Sequence, residues 1–357
     1  MDSDRAYDVL VERLGYEGSS RLRLILEDMM TSDQAVMAAA LPGTPREVAE
    51  KTGFDLDRTT AELDELFFMG VVFPKGDFHK REYFRFARNM GQFFESAMAR
   101  TQRDPERDSH FYKLWHDFSM NEHYPRLAER FNSDPVPFQR IVPAYKAIKD
   151  LDGVLPCENY PEILKAQKRI STVPCACRYM ETSVGHACRI HDEKAHNVCL
   201  QFGRGAEYTV VSGSGRELPL DEALALSDRI EEDGLLHMMF NTSAMTGFNT
   251  SCNCCDDCCM IPVPMKMAGY SVEKAWAKSR YVAYTLPDEC NGCQTCIDRC
   301  PFDAIEMGKV DGSKKLKAIL DPEKCFGCGV CVVGCEAGAL KMKVVRPPDH
   351  IPAPSGR

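Results

Sequence analysis

Between about Asp57 and Met69, the apolar residues Ala61, Leu63, Leu66 and Phe67 fall on one side of a helix. The residues before it read as two shorter helices. Ser32-Asp33-Gln34 opens one that ends near Leu41-Pro42-Gly43. Thr44 to Gly53 has Pro45 just inside a helix start and Gly53 just past its end. After Gly70 the pattern shortens. Val71-Val72-Phe73, a Pro74 to Asp77 turn and Tyr83-Phe84-Arg85-Phe86 predict a β-hairpin. From about residue 100 to 170 the pattern predicts helices broken by prolines, as at Pro135 and Pro137. Beyond Leu218-Pro219-Leu220-Asp221, an amphipathic helix should run to Asp233-Gly234.

Two helices followed by a hairpin resemble a winged helix-turn-helix domain, which implies either DNA binding or protein docking. The helix in the recognition position carries Asp55, Asp57, Glu62, Asp64 and Glu65 against Arg58 alone, and the phosphates beside a major groove would repel it. The hairpin is more basic, with Lys75, Lys80, Arg81 and Arg85. Docking or homodimerisation is the expected role of this region. His110, His116 and His123 stand at no clear metal-ligand offset and read as surface or packing residues.

The chain of 357 residues has a formal net charge of -9, which disfavours a general nucleic-acid binder. An acidic surface suits a carrier that docks on basic patches of a larger oxidoreductase. The longest apolar stretch, Leu66 to Phe73, is too short to span a bilayer. Met1-Asp2-Ser3-Asp4 leads into no apolar core of a secretory signal, so a cytoplasmic location is expected. All eighteen cysteines lie at or beyond Cys157. In a chain neither short nor secreted, that density reads as metal ligands, and an anaerobic host is expected.

Near the C-terminus, Cys290-x-x-Cys293-x-x-Cys296-x-x-x-Cys300-Pro301 is followed by Cys325-x-x-Cys328-x-x-Cys331-x-x-x-Cys335. Two-residue gaps let a tight loop place three thiolates on three corners of a cubane, while the fourth Cys reaches the neighbouring cluster. The flanks repeat as well: Cys300-Pro301-Phe302-Asp303-Ala304-Ile305 parallels Cys335-Glu336-Ala337-Gly338-Ala339-Leu340. This region resembles the bacterial dicluster ferredoxins, departing in Glu336 where Pro is usual. The resemblance implies two [4Fe–4S] clusters, one on Cys290, Cys293, Cys296 and Cys335, the other on Cys325, Cys328, Cys331 and Cys300.

The central cysteines follow another plan. Cys175, Cys177, Cys188 and Cys199 precede a Cys252-Asn253-Cys254-Cys255-Asp256-Asp257-Cys258-Cys259 loop. Neighbouring side chains diverge, so adjacent cysteines suit two centres sharing one crowded loop. The expected assignment gives Cys175, Cys177, Cys188 and Cys199 one [4Fe–4S] cluster and four of Cys252, Cys254, Cys255, Cys258 and Cys259 another, with exchange of ligands between the groups allowed. A structural zinc site with spare thiols is the alternative. His186, His191 and His196 lie among these ligands and could replace a Cys. Ser212-Gly213-Ser214-Gly215-Arg216 lacks the third Gly of a nucleotide loop and reads as a turn.

The order of these motifs resembles a family of multi-cluster iron–sulfur electron-transfer proteins of anaerobic bacteria. The paired cysteines are similar to the CCG modules of heterodisulfide reductases, without their long gaps. The expected fold class is α+β and multidomain. A winged-helix-like domain (1–100) and a helical connector (101–154) precede a Cys-rich iron–sulfur domain (155–280), a dicluster ferredoxin domain (281–345) and a disordered tail (346–357). The expected function is single-electron transfer through three or four [4Fe–4S] clusters to or from a partner oxidoreductase, as a subunit rather than a stand-alone enzyme. The alternatives are a redox-sensing DNA-binding regulator and a thiol or disulfide reductase with a catalytic central cluster.

Overall fold

The computed structural model describes residues 2–186, 188, 190 and 197–354. It mixes helices with several small sheets, and the chain divides into two compact units. The first unit comprises Met1–His123, Ser171–Ala187 and Arg204–Glu217; the second comprises Tyr124–Ile170, Cys188–Gly203 and Leu218–Arg357.

In the first unit, local chemistry sets the helix ends. Thr31 and Thr44 each accept from the N–H three residues on, while Gln34 and Glu47 cap back, starting helices Ser32–Ala39 and Pro45–Thr52. Helix Leu56–Phe68 buries Leu63, Leu66 and Phe67. Gly70 then turns the chain at φ +81°, where a Cβ would meet the Ser96 carbonyl oxygen at 2.3 Å. Strands Val72–Pro74 and Phe84–Phe86 pair antiparallel, and Gly43 bridges to Phe84 beside them. The cations next to the acidic helix are already engaged. Arg58 bonds Asp33, and the Arg81 guanidinium lies 2.6 Å from Asp64.

In the second unit, strands Cys199–Phe202, Thr250–Cys254, Leu236–Phe240, Gln139–Val142 and Trp276–Ala277 lie side by side in that order. Gln139–Val142 corrects the expectation of helix through this stretch. All four of its residues are buried, so the strand carries no alternation to reveal it. Helix Leu220–Asp233 forms as expected and ends on Gly234 in the left-handed region.

The C-terminal part of this unit is a twofold repeat. Tyr281–Thr285 pairs antiparallel with Leu340–Val344, and Ile305–Gly308 with Lys317–Leu320. Short helices Thr295–Asp298 and Val330–Val333 occupy matching places in the two Cys runs. The stretch expected to be a loose tail is held as far as Pro352. Ile351 is buried, and the Pro352 carbonyl accepts from the Ser243 N–H at 2.8 Å. No helix among the described residues is long and apolar enough to cross a membrane.

Candidate metal-cluster sites

Two cavities lie between the halves of the C-terminal repeat. The first, about 360 Å³ including its mouth, is lined by Cys290, Cys293, Cys296 and Cys335, with Met307 and Leu340 among its apolar walls. The second, about 300 Å³, is lined by Cys300, Cys325, Cys328 and Cys331, with Phe302 and Phe326. The last Cys of each run thus stands with the first three of the other run. One short helix sits in each Cys run, Thr295–Asp298 in the first and Val330–Val333 in the second, and carries the third Cys of that run.

The donor set suits iron–sulfur clusters: four thiols converge on each cavity, and the other residues lining the second are all apolar. Backbone N–H groups point at the sulfurs, as from Ala304 to Cys300 Sγ at 3.4 Å. The two sites differ in exposure. Cys293 is exposed, whereas Cys325, Cys328 and Cys331 are buried. Burial pushes the Cys296 thiol up to about 11 and Cys328 up to about 12. Loading these sites with metal therefore releases protons.

The central thiols form two groups within the second unit. Strand Thr250–Cys254 puts Cys252 and Cys254 on one face, and Ser251 and Asn253 on the other. The register that pairs Leu200 with Ser251 brings Cys199 beside Cys252, and the two are hydrogen-bonded. Cys254 Sγ lies 3.5 Å from Cys259 Sγ. Past the strand end, Cys255 and Cys258 turn the other way and meet Cys188 and Asp257, all four ligand atoms lying within 4.8 Å of one another.

The apolar surroundings divide along the same line. Cys254 and Cys259 pack with Trp276, Phe326 and Cys328, next to the second ferredoxin cavity. Cys188, Cys255 and Cys258 pack with Tyr160, Leu200 and Met239. Hydrogen bonds from Cys199 and Cys254 draw Cys252 well below the ordinary thiol range. Hydrogen bonds with Cys252 and Cys259, then burial, push Cys254 up. Contacts with Cys188 and Cys255, then burial, do the same to Cys258.

Cys188 thus stands with Cys255, Cys258 and Asp257, and Cys199 beside Cys252, an arrangement in which the expected groups would exchange ligands. Cys175 and Cys177 belong to the first unit, and hydrogen bonding to Cys177 together with burial raises the Cys175 thiol. His186 is bonded to Glu181 at 2.8 Å, also in the first unit. His191 and His196 lie outside the described residues. Cys157, buried, joins neither thiol group; its carbonyl accepts from Arg140.

Sequence reasoning passed over the groups that hold the strand. His237 Nδ1 lies 2.7 Å from Asn253 Oδ1, and its ring stacks on Tyr160 at 3.7 Å between centroids. His237 Nε2 faces Glu231 at 3.4 Å, and Glu231 accepts from the N–H groups of Tyr145 and Lys146. Asp257 was also overlooked. The two-residue period of Cys252, Cys254 against Asn253, Cys255 was the available signal.

Residues 289–339 match the model of the 4Fe-4S dicluster domain. This stretch is a ferredoxin-type module, its domain is one that carries two [4Fe–4S] clusters, and its general function is iron–sulfur electron transfer. Comparison with curated proteins and with solved structures finds no match.

Proposed function

We propose that the protein is a one-electron carrier serving a larger oxidoreductase, with the C-terminal module at its redox centre and further metal held by the central thiols. The observation that carries this reading is the exchange of Cys300 and Cys335 between two otherwise separate thiol sets. Cys290, Cys293, Cys296 and Cys335 would hold one [4Fe–4S] cluster, and Cys300, Cys325, Cys328 and Cys331 the other. When bound, such clusters accept and release single electrons.

The chain's own residues define the ends of the path. The exposed Cys293 marks the side on which a partner can approach. On the inner side, Cys328, Phe326, Cys254 and Cys259 share one apolar cluster, which excludes water between the module and the central thiols. Hydrogen bonds from N–H groups, such as Ala304 to Cys300 and Val330 to Cys328, stabilise negative charge on the ligand sulfurs. In the N-terminal unit Arg58 is paired to Asp33 and Arg81 to Asp64, which favours docking on protein over DNA.

The test is anaerobic reductive titration of the full chain, followed by electron paramagnetic resonance. Uptake of two electrons by a pair of coupled low-spin centres supports the reading. Absence of any reducible iron–sulfur signal would overturn it.

A further inference from the structure

We propose that Cys188, Cys255, Cys258 and Asp257 bind a single tetrahedral metal ion of the zinc class, separate from the iron–sulfur clusters. The inference rests on reading the central cysteines as metal ligands. It goes further in assigning this group a different metal and a structural task.

Spacing decides between one ion and a cubane. Around a single zinc with Zn–S of about 2.3 Å, tetrahedral thiolates stand about 3.8 Å apart. On a cubane each thiolate sits on its own iron, so the sulfurs stand an iron–iron edge farther apart. The four ligand atoms here all lie within 4.8 Å of one another, and Cys188 Sγ is 3.8 Å from Asp257 Oδ1. The ferredoxin thiols instead spread around cavities of about 360 and 300 Å³.

Donor chemistry points the same way. Three thiols and one carboxylate make a closed set of four, and zinc accepts Cys and Asp together. The group is shielded, with Cys188, Cys255 and Cys258 buried and Asp257 half-buried. Their apolar surroundings, Tyr160, Leu200 and Met239, are not shared with Cys254, Cys259 and Cys328. A closed four-ligand ion with no open position is a structural staple. It would tie Cys188 to the loop that ends strand Thr250–Cys254, fixing the turn by which Cys254 and Cys259 face the module.

The experiment uses the full chain purified without oxygen. Zinc and iron are measured on the wild type and on Cys258→Ser and Asp257→Asn, with the reduced-state resonance spectrum and zinc-edge X-ray absorption. About one zinc per chain is expected, with three sulfurs at about 2.3 Å and one oxygen at about 2.0–2.2 Å. Cys258→Ser should lose at least nine-tenths of the zinc, while iron and the module's spectrum stay unchanged. Asp257→Asn is nearly isosteric and guards against misfolding; it should surrender zinc to a chelator at least tenfold faster.

Loss of about four irons from Cys258→Ser, with no zinc in the wild type, would overturn the proposal and leave the electron-carrier reading standing. Four sulfurs at the zinc edge, or zinc indifferent to both substitutions, would also overturn it. Failure of the electron-carrier reading would show separately, as a wild type lacking the reduced-state signal.

Discussion

In the C-terminal module, eight thiols stand around two cavities of about 360 and 300 Å³, and one of them, Cys293, reaches the surface. In the Cys252–Cys259 loop, the thiols close on one another, to 3.5 Å between Cys254 and Cys259. The side chain is the same and the backbone differs. In the module, two-residue gaps on turns and short helices aim successive thiols inward from several directions. In the loop, a strand sends Cys252 and Cys254 to one face, and the next Cys crosses to the other. Cysteine density alone does not divide the thiols into sets; the backbone period does.

The largest effect that could break this comparison is loss of a module ligand. Cys335→Ser and Cys293→Ser should each remove about four irons and erase the same component of the reduced spectrum. Cys300→Ser and Cys325→Ser should erase the other component. If Cys335→Ser and Cys331→Ser removed the same component, the exchange between runs would be wrong.

Next in size is the contrast between adjacent residues. Cys255→Ser should cost the chain its zinc and leave the module's spectrum intact, whereas Cys254→Ser should retain zinc. Equal metal contents in the two variants would show that the loop is one site.

Backbone strain gives a third and smaller test. Gly327 has φ +71°, and a Cβ there would meet the Tyr281 carbonyl oxygen at 2.1 Å. Gly312 has φ +81° with nothing within 4 Å. Gly327→Ala should destabilise the chain by about 3 kcal/mol or more, since a close clash adds to a left-handed conformation. Gly312→Ala should cost about 1–2 kcal/mol. Denaturant melts on the loaded protein compare them, and equal midpoints would remove the close packing under the Cys325–Cys331 loop from the account.

The smallest expected effect lies behind the strand. Burial raises the Glu231 carboxyl, but the adjacent His237 ring and hydrogen bonds from the Tyr145 and Lys146 N–H groups outweigh it and hold the group below the usual carboxylate range. A depressed folded value contributes stability above the unfolded value and loses it as pH falls through the folded one. Glu231→Gln should thus cost about 1–2 kcal/mol near neutral pH and progressively less in acid. A pH-independent difference between variant and wild type would contradict the pairing.

Much of this molecule was legible beforehand. The helix openings at Ser32 and Pro45, the Gly234 stop and the two Cys runs are local signals, and each feature depends on residues close in sequence. Gln139–Val142 was not legible, because a strand buried on all four residues has no period to read. The division of the central cysteines depends on which strand pairs with which. Cys199 meets Cys252 only through a register spanning some fifty residues. Asp257 carries no signal of its own in the sequence, and only the fold brings Cys188 to it. The proline-rich stretch up to Pro352 is pinned by Ile351 and by a backbone bond from Ser243.

The most direct test of the central claim is iron and acid-labile sulfide per chain, with a reductive titration, on anaerobically purified full-length protein. The account predicts at least about eight irons and eight sulfides, and two electrons taken up by the module. Four irons or fewer, or a module that takes up no electrons, would contradict it.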